Sequence, residues 1–246
     1  MDNYWTGKNK LNKIDQEFAL GQQQECDLYY KGQDMGVTYS PEKTKFRVWA
    51  PTASAIKVLL YNDEDALEPS FIKEFRSDLC GTWVVEIGGD LAGKYFIYKV
   101  IFNNMIYEVV DPYTRAVSTN SHKGLIVDLK NTNPPGWEKD RRIELKKPQD
   151  AVIYEVHVRD FSSSTNSGIN NKGKYLAFTE CGTKSTDELK TGIDHLKDLG
   201  ITHVHLQPVF DFVTVDDTCD EDYNWGYDPY FYNVPEGCYA TDPSDD

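Results

Sequence analysis

Between residues 35 and 130 apolar side chains recur at every second position in short runs cut by turn residues, and this pattern limits the fold more than any other feature. Phe46 and Val48 alternate within residues 45–50, Ile56, Val58 and Leu60 within 55–61, and Trp83, Val85 and Ile87 within 82–88. A period of two places such side chains on one face of a strand. Residues 94–102 and 105–110 flank Asn103-Asn104, and asparagine tolerates the positive φ that a two-residue hairpin turn requires. Leu125, Val127 and Leu129 close the run. Six or more short strands at this spacing predict an antiparallel β-sandwich over 35–130; Trp49 and Trp83 could be core residues or a sugar platform, and the alternation favours the core.

A different grammar follows. Residues 131–150 hold Pro134-Pro135-Gly136 and a charged block, the composition of a linker. Residues 151–158 form an apolar strand, and 162–173 a polar loop. Ser185 with Glu188 three residues on reads as a capping box that starts a helix, with Leu189, Ile193 and Leu196 as its buried stripe and Gly200 as its C-terminal cap. Residues 201–209 give a second strand that stops at Pro208. Strand, helix and strand with short connections predict a βαβ unit and a parallel pair. The chain is thus expected to be multi-domain: an extended polar segment over 1–34, the sandwich over 35–130, the linker over 131–150, and the strand–helix–strand region over 151–246.

Charge narrows the partners. The formal net charge of the 246 residues is −14, which repels phosphates and argues against a nucleic acid or an anionic membrane surface. No apolar run reaches the length of a membrane span, and residues 1–20 carry no signal-peptide pattern. The five cysteines are odd in number and lack a CxxC pair. They read as free thiols in a reducing compartment, so the cytoplasm is the expected location. His203 and His205 share one face of a strand, but no third ligand stands near them and no metal is assigned. Asp216, Asp217, Asp220, Glu221 and Asp222 lack the spacing of a calcium loop and read as a solvated charge run. Calcium stays an open candidate there, and no cofactor is otherwise expected.

The chemistry concentrates in Tyr223-Asn224-Trp225-Gly226-Tyr227-Asp228-Pro229. Aromatic faces pack on the C–H faces of sugars, while a carboxylate accepts hydrogen bonds from neighbouring hydroxyls. Gly226 permits a tight turn and Pro229 stiffens its exit. That combination suits a carbohydrate subsite. Its plain alternative is an aromatic-rich surface turn.

Five segments carry a family likeness. Phe46-Arg47-Val48-Trp49-Ala50-Pro51-Thr52-Ala53 resembles the signature of the β-sandwich carbohydrate-binding module (family 48) that precedes many α-glucan-debranching enzymes. Glu108-Val109-Val110-Asp111-Pro112-Tyr113 and Thr132-Asn133-Pro134 look like the exit from that module. The run from Ile153 to Ser162 resembles the first barrel strand of type I pullulanases in the α-amylase superfamily (glycoside hydrolase family 13), and Gly200 to Val209 the second. Tyr223 to Pro229 is similar to the heptapeptide that marks this subfamily.

The resemblance implies an all-β, immunoglobulin-like sandwich followed by the first βαβ portion of a (β/α)8 TIM barrel, incomplete here because a whole barrel takes about 250 residues. It implies retaining hydrolysis of α-1,6-glucosidic branch points in pullulan, amylopectin or glycogen-derived dextrins, with an α-glucan as partner. Tyr227 would stack on the glucose beside the scissile bond, Asp228 would hold its hydroxyls, and Trp225 would shape the pocket. Asp160 would play a structural part, accepting hydrogen bonds from loop amides. Retaining chemistry needs two carboxyl groups about 5 Å apart, and in this family they come from later strands. No residue of this chain matches them, so none is assigned as catalytic. Two functions are weighed: a truncated debranching glycosidase, inactive as this chain, and a non-catalytic α-glucan-binding or scaffold protein that kept the module.

Overall fold

The computed structural model describes residues 30–141, 144–220 and 222–244. Nearly all of the expected 1–34 segment lies outside these residues. The chain forms two compact units, one ending at Asp111 and the other comprising Pro112 onward together with Asp63–Asp65.

The described residues of the first unit hold eight strands: β1 (Gly36–Ser40), β2 (Lys43–Trp49), β3 (Ala55–Tyr61), β4 (Phe71–Glu74), β5 (Arg76–Ser77), β6 (Thr82–Gly88), β7 (Tyr95–Phe102) and β8 (Met105–Val109). They lie in two antiparallel sheets, ordered β1-β2-β6-β5 and β4-β3-β7-β8. The inner faces meet through rings. Phe46 of one sheet packs edge-on against Phe96 and Tyr98 of the other, at 5.4 and 6.3 Å between centroids. Buried Tyr98 donates to Asp111 Oδ2 at 2.7 Å, and burial holds its phenol well above the usual value. β3 and β6 begin and end where the alternation places them, and Asn103 and Asn104 take φ of 49° and 61° in the hairpin turn.

The alternation missed three strands. β1 is one. The other two are β4 and β5, between which the chain passes from one sheet to the other at Phe75, whose ring turns inward against Tyr98 at 5.3 Å. Phe71 and Ile72 on β4 are about half exposed, so no inward–outward rhythm marks this edge.

The core placement of the two tryptophans is corrected. Trp49 is 49% exposed and Trp83 is half-buried. Each indole N–H needs an acceptor, and each finds a main-chain carbonyl at the sheet end: Cys80 O at 3.1 Å for Trp49 and Ala50 O at 2.9 Å for Trp83. Arg47, two residues before Trp49, is the one that is buried. It pairs with Asp34 at 3.0 Å and Asp78 at 2.8 Å, donates to Thr82 Oγ1, and lies over the Tyr30 ring. Burial would raise the Asp34 carboxyl, but hydrogen bonds from Lys45, Tyr30 and Arg47 outweigh it and hold the group below the usual carboxylate range.

In the second unit, Gly124–Leu125 (β9) is the strand where the 125–129 run was expected, and Leu129 is exposed. β10 (Ile153–Val156) pairs in parallel with β11 (His203–Leu206), with Ile153 opposite His203 and Val156 opposite Leu206. The crossover carries α1, Gly192–Asp198. Its start is seven residues later than the capping box suggests. Ser185 Oγ accepts the N–H groups of Asp187 and Leu189 in a turn closed by a bridge from Lys184 to Lys190. That is the hydrogen-bonding logic of a cap, applied to a turn. Leu189 is consequently 68% exposed, whereas Leu196 is buried. The C-terminal end agrees with the sequence: Gly200 has φ of 72°, and the bonds Ile201 N–H to Leu196 O and Gly200 N–H to Lys197 O form a Schellman motif. A short antiparallel pair follows, β12 (Phe210–Asp211) with β13 (Phe231–Pro235). The unit's core gathers Val158, Phe212 and Tyr239.

Candidate functional site: a turn over the parallel strand ends

The heptapeptide Tyr223–Pro229 lies in the loop between β12 and β13 and rests on the C-terminal ends of both parallel strands. His157, the residue after β10, contacts the main-chain oxygen of Asn224 through Nε2 at 2.9 Å. Pro208, just beyond β11, presses on Gly226: a Cβ on that glycine would stand 2.4 Å from Pro208 O. With φ of 83°, position 226 also lies where side chains other than glycine's are strained. Both demands fall on one residue.

Inside the turn Asn224 organises the rest. Its Oδ1 accepts the Gly226 N–H at 2.8 Å, closing an Asx turn, and its amide nitrogen donates to Asp228 Oδ1 at 2.9 Å and to Thr214 Oγ1. Thr214 passes a hydrogen bond on to Asp228 Oδ2 at 3.2 Å. Each oxygen of the Asp228 carboxylate therefore holds one protein donor and keeps lone pairs for further donors. The carboxylate is exposed but its orientation is fixed. Tyr227 and Trp225 beside it are 65% and 63% exposed.

Tyr223, at the head of the turn, reaches back to the residues that follow β10. Its ring stacks on His157 at 4.8 Å and its hydroxyl donates to Asp160 Oδ2 at 3.0 Å. Burial, then the Asp160 bond, raise the Tyr223 phenol. Asp160 thus takes its hydrogen bond from a motif tyrosine, which corrects the expectation of loop amides. A depression of about 680 Å³ opens alongside, lined among others by Tyr154, His157, Asp160, His195 and Gln207.

The acidic loop is corrected at Asp217. Asp217 is buried and accepts the Asn120 N–H at 2.6 Å, Asp216 bonds Thr218 and the Asn120 amide, and Asp220 pairs with Lys174 at 2.9 Å. Asp216, Asp220 and Asp222 are exposed as a solvated run requires, and buried Asp217 is the residue that departs from it. Nearby Asp211 and Glu236 are buried as well. Glu236 accepts the N–H groups of Phe212 and Cys238. Burial drives the Asp211 carboxyl up to about 6 and that of Glu236 up to about 7. Among the described residues, no group of three or more His, Cys, Asp or Glu is arranged to hold a metal ion. His203 instead bonds Thr202, and His205 stands 3.6 Å from Glu155.

The sequence singles out Trp225, Tyr227 and Asp228, and all three lie in this one turn, the two rings exposed and the carboxylate held by Asn224 and Thr214. It missed His157, Thr214 and Asn224. Asn224 carried a signal, since an Asn two residues before a Gly is a turn-former. The other two act from distant positions that no local pattern connects to the motif.

Residues 34–114 match carbohydrate-binding module 48 (isoamylase N-terminal domain). The chain is 38% identical over 220 residues to a pullulanase of Bacillus subtilis, covering 89% of this chain and 30% of that protein. It superposes on the pullulanase of Bacillus acidopullulyticus with a TM-score of 0.86 at 53% identity, covering 89% of this chain and 27% of that one. The pullulanase of an Anoxybacillus species, solved with maltotriose, gives 0.82 at 41% identity, covering 89% and 31%. The chain spans about a third or less of these relatives. No described helix is long and apolar enough to cross a membrane. The chain corresponds to the N-terminal portion of the pullulanases, with a carbohydrate-binding module 48 at its front.

Proposed function

We propose that this chain is part of a debranching glycoside hydrolase that cleaves α-1,6-glucosidic branch linkages in pullulan, amylopectin or glycogen-derived dextrins with retention. Its first unit is an immunoglobulin-like sandwich, and β10-α1-β11 opens a (β/α)8 barrel. Active sites of such barrels lie at the C-terminal ends of the strands, and the heptapeptide rests there. In this reading Tyr227 stacks on the glucose beside the scissile bond, Asp228 holds its hydroxyls and Trp225 bounds the pocket.

One observation carries the proposal. The Asp228 carboxylate is held by Asn224 and Thr214 beside an exposed aromatic ring, a pairing of oriented acceptor and stacking face that suits a neutral sugar. The pullulanase solved with maltotriose supports an α-glucan ligand. The nucleophile and the acid/base carboxyl are assigned to later strands, so this chain alone binds without cleaving. Incubated with pullulan, the purified chain releases no reducing sugar. Release above a heat-killed control overturns the assignment. Retardation in an amylopectin gel that survives Tyr227→Ala would favour the alternative of a glucan-binding scaffold working through the module.

A further inference from the structure

We infer that His157 is the positioning residue of the sugar subsite: through one hydrogen bond it fixes Asn224, and through Asn224 it fixes Asp228 and the turn that presents Tyr227. The inference rests on the subsite reading above and adds to it the residue that holds the subsite in place.

The surroundings of His157 set its protonation pattern. Nε2 faces Asn224 O at 2.9 Å and the Tyr239 hydroxyl at 3.0 Å, and Nδ1 faces the Asp160 N–H at 3.4 Å. A carbonyl oxygen only accepts, so Nε2 must carry the proton, and Nδ1 is then the acceptor for the Asp160 amide. This tautomer is assigned from the network, and it satisfies both ring nitrogens. The ring has little freedom to leave. It is 4% exposed, stacked on Tyr223 at 4.8 Å and met edge-on by Tyr239 at 5.7 Å.

What the imidazole holds is the one residue on which the motif depends. Asn224 gives its main-chain oxygen to His157, its side-chain oxygen to Gly226 N–H, and its amide hydrogens to Asp228 and Thr214. Remove the Nε2 donor and Asn224 keeps only contacts made within its own loop. The turn then keeps its tie to the end of β10 only from its leading edge, through Tyr223 on Asp160 and Arg159 on the Asp222 oxygen, and nothing from that strand holds Asn224 or, through it, Asp228. Residues that orient a functional group from behind commonly matter nearly as much as the group itself.

Glutamine and asparagine separate this role from simple filling of space. A Gln amide nitrogen reaches the place of Nε2, whereas an Asn amide reaches only that of Nδ1. In maltotriose titrations of the intact 246-residue chain, read by tryptophan fluorescence, His157→Gln should bind within about twofold of the parent and His157→Asn about tenfold more weakly. In an Asp228→Ala background the Gln-to-Asn difference should vanish, because the two residues act on one path. Equal affinities for the Gln and Asn variants, or a Gln-to-Asn difference that persists without Asp228, would overturn the inference. Tyr227→Ala is the separate control: if the parent does not bind, or this variant binds as well as the parent, the subsite reading itself fails and the inference falls with it.

Discussion

At position 226 the chain accepts only glycine, for two independent reasons. The backbone is left-handed there, and Pro208 O occupies the space of a side chain. Gly226→Ala should destabilise the second unit by about 1–3 kcal/mol and weaken maltotriose binding, since the turn must shift to relieve the contact. Thermal denaturation and titration of the variant check both. Arg47 shows the same economy in the first unit. Arg47→Ala leaves Asp34 with Lys45 as its remaining cation and Asp78 with only Arg76 at 3.8 Å, and a loss of about 2–3 kcal/mol is expected in chemical denaturation. Neither dependence was legible in the sequence. The glycine was readable as a turn, but its contact with Pro208, and the reach from His157 to Asn224 across 67 positions, are products of the fold. What could be read was local: aromatic, glycine and carboxylate in seven residues, already the shape of a subsite.

At the scale of elements, the strands that sequence located best are those buried in the middle of their sheets. β3 and β6 show a clear period because an inner face must be apolar. β4 and β5 lie at edges and change sheet, so no period survives. Helix α1 shows the opposite weakness. Its C-terminal end is dictated by chemistry that only glycine meets easily, and the sequence placed it correctly. Its start was misplaced because Ser185 and Glu188 serve a turn with the donors and acceptors a cap would use. The true register has a consequence. Leu196→Ala should cost about 2–5 kcal/mol, while Leu189→Ala, on an exposed turn, should change stability by under about 0.5 kcal/mol. Equal losses at the two positions would favour the longer helix.

For the whole molecule, the two units differ in how pH acts on them. Asp34 in the first unit is held below its usual range, so its contribution is present above about pH 4 and fades as pH falls below that. Asp211 and Glu236 in the second unit are raised to about 6 and about 7. Their contribution is complete below the unfolded value near 4 and is lost as pH rises through 6 to 7. The second unit should therefore be less stable at pH 8 than at pH 5 while the first is not, and two-transition melting curves across that range test it. The same unit carries an uncovered parallel pair, and two strands alone bury little. Limited proteolysis should cut within 151–246 before 35–111. The central claim is that Trp225, Tyr227 and Asp228 form a sugar subsite on the strand ends. Amide shifts recorded while maltotriose is added to the labelled chain test it most directly. The largest changes are predicted at residues 223–229 and at His157 beneath them. Changes confined to residues 34–114, or none at millimolar sugar, would contradict it.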